Sequence, residues 1–430
     1  MQRHESYKPS GVKWIGDVPA HWDVRPGFTC FDENKDRNKR LTEKTVLSLS
    51  YGRIIVKSEE KMTGLVPESF DTYQLIKPGD IVIRTTDLQN DKTSLRVGLA
   101  RDKGMITSAY LGLRCKPEIN PEYVFRLLES YDALKVFYGM GSGLRQNIDF
   151  WDFKRLPVPV PPRTEQDRVA TFLDQKTAEI DAAISKKARL IELLAEQRTA
   201  VITKETRGQI EASQSVRNSG IPWLGPISEH HRLTRLGFIA KIGNGSTPNR
   251  SVVGFWAGGN IPWLNSSKVN DFEIVEAGQF ITNRAARECH VPVVKAGSLL
   301  IAITGEGKTR GMAAVTRIDT TINQHLAYIS LTDPQVDPEF LLYYLTSIYQ
   351  ILRDESSAQG STKGAITCGE LAKVPVLLPP LEEQRIALDR IKNQLQHINK
   401  SRDVTQRQIG TLQVFRSTLI SDAVSGKMKI

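Results

Sequence analysis

Gly305-Glu-Gly-Lys-Thr309 carries the end of a phosphate-cradling loop, in which backbone N–H groups hold an anion and a lysine reaches its outer oxygens. That loop also needs a glycine at position 302, where this chain has Ala302, so the pattern fails. Adenine methyl transfer is no better supported. The chain lacks an Asp/Asn-Pro-Pro-aromatic tetrapeptide, and its proline pairs, Pro161-Pro162 and Pro379-Pro380, follow Val160 and Leu378. A metal-dependent nuclease would need two carboxylates and a lysine on adjoining strands; Asp80, Asp87 and Lys92 come nearest. The seven histidines show no HExxH or other ligand spacing, and His230-His231 reads as a surface pair. Cys289-His290 alone carries no signal. No catalytic constellation and no metal site is expected.

What remains are polar, basic loops punctuated by glycine. Arginine and lysine suit guanine edges and phosphates, asparagine and glutamine suit adenine, and hydroxyls suit either. In the first half the candidates for DNA contact are Thr85, Thr86 and Gln89, then Ser142, Arg145 and Gln146. In the second half they are Ser246, Thr247 and Arg250, then Ser266, Ser267 and Lys268. Lys308, Arg310, Ser361, Thr362 and Lys363 complete the set. Any one such loop is ordinarily a solvated turn; several in one basic domain point to nucleic acid.

The elements that must carry these loops repeat. Leu156-Pro-Val-Pro-Val-Pro-Pro162 leads through Arg163-Thr-Glu-Gln166 into a long helical pattern. Val374-Pro-Val-Leu-Leu-Pro-Pro380 and Leu381-Glu-Glu-Gln384 lead into another, reaching Val424. Pro157 pairs with Pro375, Gln166 with Gln384, Arg198 with Arg416 and Gly208 with Gly426, at a constant offset. An ungapped match of about fifty residues marks an internal duplication. Proline stops each β-like segment. The first seam then runs Leu173, Thr177, Ile180, Ile184, Lys187, Ile191, Leu194, Arg198, Val201. The second runs Ile391, Leu395, Ile398, Arg402, Thr405, Ile409, Leu412, Arg416, Leu419. Steps of three and four residues are a coiled-coil spacing, and the polar seam positions fix register. A helix of this length needs a partner for its stripe. The economical partner is the other copy, antiparallel. The two glycines sit where helices end.

The front ends repeat as well: Ser10-Gly-Val-Lys-Trp-Ile-Gly16 and Ser219-Gly-Ile-Pro-Trp-Leu-Gly225. Between front ends and helices lie two globular stretches with scattered correspondences. Lys77-Pro-Gly-Asp-Ile-Val-Ile83 and Lys295-Ala-Gly-Ser-Leu-Leu-Ile301 each read as a turn and a buried strand. Asn120-Pro121 and Asp337-Pro338 each read as a cap and first turn of a helix. The expected class is α+β: two globular α/β domains separated by two long antiparallel coiled-coil helices in a pseudo-twofold duplication. The domains are expected at 1–160, 161–210 (helical), 211–378 and 379–430 (helical). The helices have kept their likeness while the globular parts diverged, as expected if each globular part reads a different target.

Charge and cysteine usage are compatible with this. The 430 residues carry a formal charge of +10, which suits nucleic acid or an anionic membrane. No apolar run is long enough for a membrane span, and Met1-Gln-Arg-His-Glu-Ser-Tyr7 lacks the apolar core expected of a signal peptide. Cys30, Cys115, Cys289 and Cys368 are scattered, against a disulfide framework and consistent with a reducing cytoplasm.

The chain resembles the specificity subunit of type I restriction–modification enzymes over nearly its full length. The resemblance rests on the duplicated Pro-Pro-x-x-Glu-Gln leading into each helix, Pro161 to Gln166 and Pro379 to Gln384. It rests also on Gly245-Ser-Thr-Pro248 followed by Gly259-Asn-Ile-Pro-Trp-Leu264. The first domain departs, with Phe28-Thr-Cys-Phe-Asp32 near that place. The resemblance implies two target-recognition domains, each reading half of an interrupted DNA site, on helices that set their separation. It implies two modification (methyltransferase) subunits that bind S-adenosylmethionine, and restriction subunits that use ATP with Mg for cleavage. This chain itself would carry no cofactor and no catalysis. A helix flank with Arg189, Glu192, Glu196 and Arg407 is the expected partner-subunit interface. The other reading is a coiled-coil scaffold that binds only proteins; salt-sensitive, sequence-specific duplex binding separates the two.

Overall fold

Both proline runs form short extended segments. Pro157–Val160 pairs antiparallel with Asp23–Pro26, and Pro375–Leu378 with Arg232–Arg235. Proline lacks the N–H a central strand needs, and each pair is a sheet of only two strands. The structure is a computed structural model and describes residues 3–57, 69–88, 91, 94–140, 147–207, 215–305, 307–357 and 364–430.

From each strand the chain passes into a long helix: the central helix Arg163–Arg207 of 45 residues and the C-terminal helix Leu381–Val424 of 44. At 1.5 Å per residue each is about 67 Å long. The Glu-Gln pair at each start has a structural explanation. Buried Gln166 donates from Nε2 to the Pro161 carbonyl at 2.9 Å and accepts the Asn120 backbone N–H at 2.8 Å. Gln384 donates to the Pro379 and Gln335 carbonyls and accepts the Asp337 N–H at 2.9 Å. Asn120 and Asp337 are themselves the N-caps of Pro121–Ala133 and Pro338–Ser347, each with proline in the first turn. One glutamine therefore joins three chain segments in each copy.

The chain divides into two compact units, 1–189 with 406–430, and 190–405; the divisions fall inside the long helices. In the first unit a four-stranded antiparallel sheet runs Phe31–Glu33, Tyr110–Cys115, Ile81–Arg84, Val97–Leu99. In the second unit the corresponding strands take the same order: Ala240–Asn244, Leu326–Leu331, Leu299–Ala302, Ala313–Thr316, with Glu273–Ile274 added in parallel at the edge. The duplication thus extends to the sheets, where sequence likeness is faint. The expected turns before Ile81 and Leu299 are made by Gly79 and Gly297, both at positive φ. The copies differ most in the smaller sheets, built from segments on both sides of that turn. Here the first unit has two hairpin-sized sheets, Leu47–Ser50 with Arg53–Val56 and Gln74–Ile76 with Gly104–Ile106. The second has a four-stranded sheet, Gln279–Ile281, Ile261–Leu264, Thr320–Ile322, Val293–Val294.

The helix stripes pack against each unit's own core. In the first unit Leu173, Ile180, Leu419 and Ile420 join Ile83, Leu113, Tyr123 and Leu127. In the second, Leu194, Val201, Ile391, Leu395 and Ile398 join Leu299, Ile329, Phe340 and Tyr344. The helices run antiparallel within the first unit, where Asp181 meets Arg416 and Lys187 meets Gln408. The expected seam residues are buried or half-buried, with one correction. Arg402 is exposed and ion-pairs with its neighbour Asp403; keeping the guanidinium in water avoids a desolvation cost its seam place would impose. Arg416 is a bridge rather than a spacer: it pairs with Asp181 at 2.9 Å and with Glu129, from Pro121–Ala133, at 2.7 Å. Gly426 ends the C-terminal helix at φ +73°, and a Cβ there would lie 2.3 Å from Pro19 Cδ. Gly208 lies outside the described residues.

Candidate nucleic-acid interface

The second unit gathers its polar loops through backbone bonds. The Ser246 N–H donates to the Ile322 carbonyl at 2.9 Å and the Asn323 N–H to the Leu264 carbonyl at 3.0 Å. These bonds join the loops at 245–250, 265–268 and 323–325. Gly245 is required by the first of these approaches, since a Cβ there would fall 1.8 Å from the Ile322 carbonyl oxygen. The Thr247 hydroxyl bonds the Gln324 side chain, and His325 Nδ1 lies 2.8 Å from Thr304 Oγ1. Asn265 accepts from the Ser267 N–H and hydroxyl, leaving Ser266 half-buried and Ser267 exposed beside it. Lys268 lies 3.6 Å from Asp271, and Lys308 is exposed.

Arg250 anchors the exposed rim. Its guanidinium lies over Trp256 at 4.1 Å and Trp263 at 5.1 Å and donates to Gln279 Oε1 at 2.8 Å. The rings stand edge-on to each other and are fixed by indole donation to the Asn249 and Ser246 carbonyls. A cation over aromatic faces is held in place without losing its charge, a preorganised donor for phosphate or a base edge. Arg250 was legible in the sequence; the two tryptophans behind it were not, because 6 and 13 residues of separation give no periodic signal.

Other candidates are placed differently. Arg310 is buried and donates to Ser357 Oγ at 2.7 Å, and Thr85 is buried with its hydroxyl toward the Ala109 carbonyl. Neither side chain reaches the surface here, contrary to the expectation of exposed contacts. Thr86 is half-buried in a loop organised from beneath by Arg96, which is fully buried. Arg96 donates to the carbonyls of Arg84, Thr86, Asp87 and Asp91 and to the Tyr138 hydroxyl. A buried arginine is stable where its fork finds this many acceptors. Gln89, Ser142, Arg145, Gln146, Ser361, Thr362 and Lys363 lie outside the described residues. Asp80, considered for nuclease chemistry, is committed to a two-pronged pair with Arg114 at 3.0 Å. On the helices Arg189, Glu192, Glu196 and Arg407 are exposed, as are Val414 and Phe415.

The glutamates of the two motifs bind the front ends. Glu165 accepts from His21 Nε2 and from the Trp22 indole N–H, both at 2.9 Å. Burial raises its carboxyl pKa, but the Trp22 and His21 bonds outweigh this and hold it below the ordinary value. In the second copy Glu383 faces His230 Nε2 at 3.1 Å and His231 Nε2 at 3.2 Å. The expectation of a surface histidine pair is corrected: His231 is buried, because it fills the place of Trp22 under the strand pair. Burial pushes its imidazole below the ordinary range, with Glu383 opposing. Among the described residues no helix is long and apolar enough to cross a membrane. The four cysteines are free.

Known proteins match at both levels. The family described as type I restriction modification DNA specificity domain matches residues 232–405. A Methanocaldococcus jannaschii chain assigned as the specificity subunit of the type I enzyme MjaX is 24% identical, covering 97% of this chain and 96% of its own length. A chain from a structure described for complex assembly and conformational transition of the type I R-M system has a TM-score of 0.67 at 18% identity, covering 96% of this chain and 99% of that one. The HsdS subunit from Thermoanaerobacter tengcongensis has a TM-score of 0.53 at 17% identity, covering 96% and 98%. With the duplicated helices and sheets behind them, residues 232–405 match the DNA specificity domain of type I restriction–modification systems, and the whole chain is similar to their specificity subunits in sequence and in fold.

Proposed function

We propose that each globular domain, 1–160 and 211–378, reads one half of an interrupted duplex site, and that the helical segments 161–210 and 379–430 set the gap between the halves. The observation that carries this is the contrast between the copies. Sheet order, glutamine clamp and helix lead-in are the same, whereas the smaller sheets that differ carry most of the second unit's candidate loops. A shared frame with different loops suits two unlike half-sites. In this reading Ser246, Thr247, Arg250, Ser267, Lys268 and Lys308 approach DNA. The first domain contributes Thr86 with the loop candidates outside the described residues.

The chain supplies an address and no chemistry. Methyl transfer belongs to two modification subunits with S-adenosylmethionine, cleavage to restriction subunits with ATP and Mg. The duplicated helix pair suits two copies of one partner by pseudo-twofold symmetry. Exposed Val414 and Phe415, with Arg407 nearby on the same helix, support a docking role for that surface.

Exchange of residues 211–378 for the corresponding domain of a relative tests the reading. One half of the methylated motif should change, in the reconstituted complex, while the other half and the gap stay constant. A change in both halves would defeat the two-reader arrangement.

A further inference from the structure

His230, His231 and Glu383 bring three metal-ligating atoms within 4.8 Å of one another. We propose that they form a binding site for a borderline divalent transition metal, of which zinc is the type, with water as the fourth ligand. The site would staple the second domain's front end to the start of the C-terminal helix.

The geometry fits a four-coordinate ion. Ligands 2.0–2.2 Å from a tetrahedral zinc lie roughly 3.3–3.6 Å apart. The His230 Nε2 and His231 Nε2 atoms stand 3.1 and 3.2 Å from the Glu383 oxygens, on two separate carboxylate oxygens. A small shift would open room for the ion between them. The ligand types, two imidazoles and one carboxylate, are those of zinc sites that keep an open position. His230 also has the outer support such ligands need: its Nδ1 lies 2.7 Å from Ser228 Oγ, which is buried in the front-end hairpin. A hydrogen bond on the far nitrogen fixes ring orientation and presents Nε2 to the metal.

The duplication supplies a comparison within the same chain. Position by position, His21 and Trp22 stand where His230 and His231 stand, and Glu165 where Glu383 stands. In the first copy the glutamate is satisfied by an imidazole and an indole N–H. Indole offers no lone pair to a metal. Both copies therefore hold the same two segments together, but only the second has exchanged the indole for a ligand. The same staple serves the fold in both, which is why the pairing is retained. Ends of Arg232–Arg235 and Leu381–Val424 are what the metal would join.

The test uses the full chain without a histidine tag, stripped with chelator and titrated with Co2+ alone. One equivalent should bind and give the intense visible absorption of a four-coordinate site. Added Zn2+ should bleach it, and Zn2+ should raise Tm, since the ion binds only the folded chain. His230→Ala, at a half-exposed side chain, and Glu383→Gln should abolish the absorption. Ser228→Ala should weaken Co2+ binding about 10- to 100-fold. His231→Trp recreates the first copy's pairing; it should lose the metal while keeping a folded chain whose Tm no longer responds to Zn2+. Absence of a saturable Co2+ band in the parent chain, or an equal band in His230→Ala and Glu383→Gln, overturns the proposal.

Discussion

Single side chains in this protein divide between those that hold loops and those that face solvent. Arg96 and Arg310 were equal to Lys308 as cations in the sequence, yet Arg96 and Arg310 are buried and Lys308 is exposed. Burial depends on which acceptors converge, carbonyls for Arg96 and the Ser357 hydroxyl for Arg310, a property of the folded loop. For the exposed group the expectation is electrostatic. Lys268→Ala and Lys308→Ala should each weaken duplex binding and flatten the slope of log affinity against log salt by about one unit. Unchanged affinity in both would remove these loops from the interface. Glu165 gives a pH expectation. Its folded pKa lies below the ordinary 4.5, so its bonds to Trp22 and His21 stabilise the fold above about pH 4.5 and are lost as pH falls through the folded value. Glu165→Gln should therefore cost most near pH 6, and its stability gap to the parent should narrow toward pH 3. Urea midpoints across that range report it; a gap that widens on acidification contradicts the sign.

At the scale of elements, the lead-in to each long helix is the part of the duplication whose residues are kept in both copies. Proline strand, glutamate and glutamine act together. The prolines end the strand, the glutamate takes the front end, and the buried glutamine ties the capped helix behind it. Losing a buried amide leaves its former partners without bonds, at roughly 1–3 kcal/mol. Gln384 makes one more carbonyl contact than Gln166. Gln384→Ala should accordingly destabilise more than Gln166→Ala, by about 1 kcal/mol, read from chemical unfolding of the two variants. Equal losses would show that the Gln335 contact contributes nothing. Apart from exposed Arg402, the seam behaves as its periodicity suggested, because the stripe of each helix has a core beneath it.

For the molecule as a whole, the proposal makes the central helix a ruler. Four residues inserted after Ala182, repeating Thr177-Ala-Glu-Ile180, would add about 6 Å of rise. Four residues are slightly more than one turn, so the stripe is nearly kept, at some cost in register. Duplex rises about 3.4 Å per base pair. Cells carrying the insertion should methylate a motif whose gap is longer by one or two base pairs, with both half-sites unchanged. A folded, active complex that keeps the original gap would show that another element sets the distance.

The sequence alone determined the parts whose physics is local. Helix starts, seams and ends follow from proline, from three-and-four spacing and from Gly426, each of which acts within a turn or two of chain. The internal offset revealed the duplication, and the motif residues around it carried the resemblance to type I specificity subunits. Tertiary structure alone decided what depends on distant segments meeting. The common sheet order survives where sequence likeness does not, since a buried strand asks only for apolar residues of suitable size and leaves their identity free. The tryptophans under Arg250, the buried Arg96 and the two histidines on Glu383 were invisible for the same reason. Their partners lie from 5 to 153 residues away in sequence, and only the folded chain brings the atoms within reach.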